Sequence, residues 1–252
     1  MKKMTRFALQ LVAIVTMTID HAGKMFLTYG TFAYDTCFII GRIAFPLFCF
    51  LLAEGARHTR NIWKYFGRIL LFATLFEGVF FIFSYFIGGV IKVTLNIFYT
   101  MALGILILAL LRHKKSYIKI LSILPIMLLI FTNIIVRSVQ IGHVNFPLDF
   151  EYSFYGILMI IWFGIFDKRW IQVMGLVLST VLFCQNGLFY TLGYKELILD
   201  FYYQWFGLLA IPFILLYNGE KGKIQFPRYF LYFYYPIHMV AIYGIYILIH
   251  MF

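Results

Sequence analysis

An acid and an imidazole stand side by side in "TMTIDHAGKMF", residues 16–26, inside an apolar run from Phe7 to Leu27. A carboxylate can hold a charge or a counter-ion, and an imidazole can take up and return a proton near neutral pH. Arg42, Glu77 and His238 interrupt apolar runs farther along the chain. An ionisable group in the middle of a lipid-embedded helix costs roughly 2.5–3.5 kcal/mol, so each of these needs a partner or a task. Consecutive helix positions point about 100° apart, which sends Asp20 and His21 to different faces. Asp20 shares its face with Thr16 and Lys24. His21 shares its face with Thr18 and, three turns earlier, Gln10, so these residues form a thin polar stripe.

Arg42 is the natural counter-ion for Asp20, because an Arg–carboxylate pair neutralises both charges. Asp20 then reads either as half of a structural ion pair or as part of an acid–base site with His21 and Arg42. In "AEGARHTRN", Glu54, Arg57, His58 and Arg60 read either as anchors at a membrane edge or as a cradle for a phosphate-bearing molecule. Glu77, in "LFEGVF", has no evident partner, and Asn96, in "TLNIFYT", is placed to cap a helix. "YYPIHM" puts Pro236 two residues before His238, where a kinked helix can line a cavity. "YNGEKG", 217–222, is a turn by composition.

The elements that carry these residues are membrane helices. Of the 252 residues 63% are hydrophobic and 12% charged, outside the range of soluble domains. The composition predicts one polytopic all-α domain, 1–252, with about nine transmembrane helices. Their expected spans are 7–27, 36–54, 66–87, 94–112, 117–136, 152–166, 170–190, 201–217 and 227–249. The N-terminal "MKKMTRF" is followed by no small-residue cleavage site and reads as the start of an uncleaved first helix.

The net charge of +11 does not point to nucleic acid, because the basic residues sort by loop. With a cytoplasmic N-terminus, sixteen of the 21 Lys and Arg lie at or near the inner side, four at the outer side, and Arg42 alone is set apart as a residue within a span, away from its ends. At about 1.5 Å rise per residue, His21 and Arg42 then share a level near the outer leaflet. The long exterior connections 137–151 and 190–202 are expected to serve as lids or acceptor-binding elements. Cys37, Cys49 and Cys184 lack any paired spacing, which excludes a disulfide framework and a cysteine metal site.

"IDHAGKMF", "GRIAFPLFCFLLAEGARHTRNIWKYFGRILLFA", "LNIFYTMALG", "EYSFYG", "LYNGEKG" and "YFLYFYYPIHM" resemble, in this order, the TraX family. The likeness runs from about residue 10 to 240, nearly the whole chain. It implies an inner-membrane acetylase of the kind that modifies the N-terminal amine of conjugative pilin from acetyl-CoA. The family is also distantly similar to the membrane acyltransferases that carry acyl groups from cytoplasmic acyl-CoA to outer acceptors. Two positions depart from those proteins. Gln10 stands where many have an Arg eleven residues before the first-helix His, and Glu151-Tyr152 replaces the usual Asp-Tyr.

The resemblance implies His21 as general base or acyl carrier, with Asp20 and Arg42 setting the field around it. Gln10, Glu54, Arg57, His58 and Arg60, with Arg68, would serve acetyl-CoA, its pantetheine following the stripe to His21. Glu151, Tyr152, His238 and Asn96 would serve the acceptor, a peptide N-terminus or a glycan. Two other classes compete: a small transporter or flippase using the same charges as a proton relay, and a non-catalytic component of a conjugation or secretion system. A transporter would be expected to show inverted repeats, and none is evident. The sequence leaves the acceptor and a homo-oligomeric state open.

Overall fold

Thr5 begins the first helix, its hydroxyl accepting a hydrogen bond from the Ala8 amide at 3.4 Å. Helix α1 then runs Arg6–Phe26 and closes on a bond from the Leu27 amide to the Gly23 carbonyl. The computed structural model describes residues 4–87, 95–132, 138–141, 144–193 and 202–251. The chain divides into two units, Met1–Leu51 with Phe201–Phe252, and Leu52–Asp200.

In the first unit α1 packs against α2 (Phe32–Gly41) and against α12 (Phe230–Met251). Two glycines set the distance between α1 and α2. A Cβ on Gly41 would lie 2.3 Å from Cβ of Asp20, and one on Gly23 would lie 2.5 Å from Cβ of Cys37. Such small residues let helix backbones approach closely.

Helices α1 and α12 run parallel, with Phe7 against Phe226, Thr18 against Tyr234, His21 against His238 and Phe26 against Tyr246. At the start of α1, the amides of Met4 and Arg6 donate to the carbonyls of Leu216 and Glu220, which fastens the 217–222 turn there.

The expected span 36–54 is two helices, α2 and α3 (Ala44–His58), broken at residues 42 and 43. At the break, Nε of Arg42 donates back to the Phe38 carbonyl. The expected span 201–217 begins as a 3-10 helix, Tyr202–Ala210, and becomes α11 (Ile211–Leu216) at Pro212. Proline has no amide to continue the earlier ladder but suits a helix's first turn. Helix α12 runs through Pro236 without a break.

The second unit is built around α5 (Ile97–Leu111), most of whose residues are buried. It packs against α4 (Ile62–Ile87), α6 (Ser116–Ile120), α7 (Ile123–Ile130) and α8 (Ser153–Ile165), and α8 packs in turn on α9 (Arg169–Phe183). Leu95, Leu103, Ile107, Leu129, Phe150 and Ile157 form its apolar centre. The expected span 117–136 is interrupted between α6 and α7, and residues 133–137 lie outside the described ones. The expected span 170–190 ends at Phe183, before the short α10 (Leu188–Thr191).

The described residues are almost entirely helical, as the sequence predicts, with one short hairpin. Strands β1 (Ser138–Ile141) and β2 (Val144–Pro147) pair antiparallel within the connection expected to be an exterior loop. Most of the other such connection, 190–202, lies outside the described residues.

Among the described residues three helical stretches are long and apolar enough to cross a membrane: Phe32–His58, Ile62–Ile82 and Phe230–His250. Their exposed apolar side chains, such as Leu71, Leu75 and Val79 on α4 and Ile237 and Val240 on α12, suit a lipid environment. Helix α1 has the length but is missing from this set, and Gln10, Asp20, His21 and Lys24 are the residues that lower its apolar character.

Candidate functional site

Close packing of α1 on α2 brings Asp20 to Arg42. Nη2 of Arg42 lies 3.0 Å from Oδ2 of Asp20, and the Lys24 ammonium donates to the same oxygen at 2.7 Å. Asp20 and Arg42 are buried, and Lys24 is partly exposed. Arg42 also donates from Nη1 to Oε1 of the buried Gln204, at 3.4 Å. Its guanidinium stacks over the Phe38 ring, 4.2 Å from the centroid, a favourable place for a buried cation. The expected Asp20–Arg42 pair is therefore present, and Lys24 and Gln204 enlarge it. Oδ1 of Asp20 is buried and accepts no hydrogen bond among the described residues.

His21 lies on the neighbouring face, as helix geometry predicts, but its ring reaches back. Nε2 of His21 is 3.9 Å from Oδ2 of Asp20, near enough for charge to be felt but beyond a hydrogen bond. The other nitrogen, Nδ1, meets Nε2 of His238 at 2.7 Å, and the two rings lie edge to edge, their planes 19° apart and their centroids 4.9 Å apart. His238 is buried, while 21% of the His21 side chain is exposed.

Behind this pair the polar stripe of α1 meets an aromatic column on α12. The Thr18 hydroxyl donates to the Ile14 carbonyl at 2.8 Å and accepts from the Tyr234 hydroxyl at 2.7 Å. The Tyr234 ring stacks on His238 with an interplanar angle of 6°. His238, expected to serve the acceptor, thus lies directly against His21. The contact escapes sequence reading because 217 positions separate the two residues.

Glu54, Arg57, His58 and Arg60 lie in the second unit. Glu54 is buried and holds Nη1 of Arg57 at 2.6 Å and Nη1 of Arg169 at 3.4 Å. Arg57 also donates from Nη2 to the carbonyls of Phe163 and Phe166. Arg112 donates to the carbonyls of Gly164 and, at 3.3 Å, Ala56. Gln172 adds bonds to Phe163 and Phe166 at 3.2 and 2.7 Å. These donors satisfy carbonyls at the C-terminal end of α8, which carry no intrahelical bond and a partial negative charge. Arg57 therefore has a structural task beyond the phosphate role read from the sequence. His58 and Arg60 remain exposed, with Nε2 of His58 3.8 Å from Glu54.

Asn96 is fully engaged. Its Oδ1 caps α5 through the Phe98 amide at 3.1 Å, and Nδ2 donates to the Ala73 carbonyl and to Glu77 at 2.8 and 2.7 Å. Glu77 thereby gains the partner that the sequence does not reveal. Asn96 is completely buried, which leaves it no surface for an acceptor. The Glu151 carbonyl accepts from Thr100, and its amide donates to Leu95 at 3.1 Å. Tyr152 and Ser153 take positive φ values of 60° and 31°, a left-handed geometry unfavourable for residues other than glycine.

Comparison with known proteins is informative at two scales. A family described as TraX protein matches residues 5–246. Over 69 residues the chain is 42% identical to the probable fimbrial assembly protein FimC, serogroup H1, of Dichelobacter nodosus. That alignment covers 27% of this chain and 28% of the relative, so only a minor part of either protein is compared. No solved structure matches the chain.

Proposed function

This chain belongs to the TraX family, and we propose that it is a membrane-embedded acetyltransferase moving an acetyl group from acetyl-CoA to an amine or hydroxyl. The observation that carries this reading is His21. A partly exposed imidazole backed by a buried histidine, 3.9 Å from a carboxylate held by Arg42 and Lys24, has the parts of a general base.

In the proposed reaction His21 takes the proton from the acceptor N–H or O–H as that atom bonds to the acetyl carbonyl carbon. The carbon–sulfur bond then breaks, and His21 returns the proton to the departing sulfur. Asp20 stabilises the imidazolium formed in between. Arg42 has bonds to Asp20, Gln204 and the Phe38 carbonyl, which suits a residue that fixes the cluster's charge. For the donor's phosphates, exposed Arg60 is better suited than Arg57, whose guanidinium is occupied at the end of α8.

The name of the Dichelobacter nodosus relative supports a fimbrial context. With the family resemblance, it favours a pilin-like N-terminal amine as acceptor. The proposal places the protein in the cytoplasmic membrane with its N-terminus inside and about nine spans. The parallel course of α1 and α12 supports an odd number of spans counted from α1 through α12.

The test uses purified protein, acetyl-CoA labelled in the acetyl group, and a peptide with a free N-terminus or an amino sugar. Label is expected to leave the CoA thiol for the acceptor, and His21→Ala is expected to stop it. Transfer at the full rate in that variant would remove His21 from the chemistry. No transfer to any acceptor by the wild-type protein would leave the non-catalytic assembly role.

A further inference from the structure

His238 contacts His21 in a way that decides which nitrogen of His21 can act as a base. Nδ1 of His238 lies 2.7 Å from the Tyr234 carbonyl oxygen. A carbonyl can only accept, so the hydrogen sits on Nδ1 of His238. In a neutral ring the other nitrogen then bears a lone pair. That nitrogen, Nε2, is the atom 2.7 Å from Nδ1 of His21, so Nδ1 of His21 must supply the hydrogen. It follows that Nε2 of His21 carries the free lone pair, and this is the nitrogen nearest Asp20.

A neutral His238 fits its surroundings. Among the described residues its ring contacts are with Tyr234, Tyr235 and His21, and none is a carboxylate. A cation buried there would lack a paired charge, which is costly. The charged groups around His21 are Asp20, Lys24 and Arg42, and both cations already bond to Oδ2 of Asp20.

We propose that His238 is a positioning residue whose Nε2 accepts the Nδ1 hydrogen of His21, so that Nε2 of His21 is held as the lone pair that takes the acceptor's proton. The assignment of a task to that lone pair rests on the acetyltransferase reading; the tautomer itself does not. Thr18 and Tyr234 hold the arrangement from behind, since the Tyr234 hydroxyl is tied to α1 while its carbonyl fixes His238.

The experiment is nitrogen NMR of the full-length protein in detergent with 15N-labelled histidine, on wild type, His238→Gln and His238→Phe. Glutamine places an amide oxygen near the former Nε2 and can still accept from His21; phenylalanine keeps the ring but accepts nothing. Wild type and His238→Gln are expected to show His21 protonated on Nδ1, and His238→Phe to shift it toward the Nε2-protonated form. A wild-type His21 protonated on Nε2 would overturn the proposal without any variant. So would a tautomer unchanged in His238→Phe.

Acetyl transfer measured on the same samples separates the two levels. His238→Phe is expected to lower kcat at least tenfold with KM for acetyl-CoA unchanged, and His238→Gln to recover most of it. A shifted tautomer with undiminished transfer would overturn the positioning role. Absence of transfer in every sample, with the expected spectra, would fault the acetyltransferase reading and leave the tautomer standing.

Discussion

Two buried carboxylates, Asp20 in the first unit and Glu54 in the second, are each bonded by an arginine and a second cation. They differ in where their networks end. From Glu54 the bonds run through Arg57 to carbonyls at the end of α8, and Gln172 and Arg112 add bonds to the same helix end. That network closes a helix terminus. From Asp20 they run to Arg42, Gln204 and Lys24, and the histidine 3.9 Å away, His21, is backed by buried His238, whereas His58, 3.8 Å from Glu54, is exposed. The same residue types thus build an anchor in one place and, in the proposed function, an acid–base site in the other, and the His21–His238 contact is what tells them apart.

Four substitutions sharpen or break this contrast. His21→Ala is expected to lower acetyl transfer by about 10²–10⁴-fold, the range for loss of a general base, with the thermal midpoint in detergent unchanged. A midpoint that falls with activity would make His21 an anchor like Arg57. Arg57→Ala should show the reverse pattern: about 3–5 kcal/mol of stability lost, because buried Glu54 and the end of α8 each lose one of their donors. An unaltered midpoint in that variant would erase the distinction between the clusters.

Gly41→Ala should cost about 1–3 kcal/mol by overpacking, since the new methyl would lie 2.3 Å from Asp20 Cβ. Transfer should fall as well, because Asp20 and Arg42 must separate; loss of stability with transfer intact would detach the ion pair from the chemistry. The smallest effect is expected from Arg60→Ala, a few-fold rise in KM for acetyl-CoA with no change in melting. An unaffected KM would move the donor's phosphates away from the α3–α4 turn.

Much of the first cluster is legible in the sequence, because ionisable residues in apolar runs are conspicuous and opposite charges can be matched by depth. Asp20 and Arg42 are found in this way. His238 is conspicuous too, but helical periodicity says nothing about which helix lies beside which, and its partner is 217 positions away. Glu77 and Asn96 are 19 positions apart and show the same limit at shorter range. The task of Arg57 is hidden for a different reason: backbone carbonyls occur at every position, so their partners leave no mark in residue type. The interruptions at 42–43 and 121–122 fall within continuous apolar runs, where hydropathy alone reads one span.

The parallel pairing of α1 with α12 has a consequence for the making of the protein. At about 5–20 residues per second, the 217 positions between His21 and His238 take roughly 10–40 s to synthesise. Throughout that interval the polar stripe of the first helix has been made and the helix that completes it has not. His21 therefore gains its Nδ1 partner only when α12 has been made.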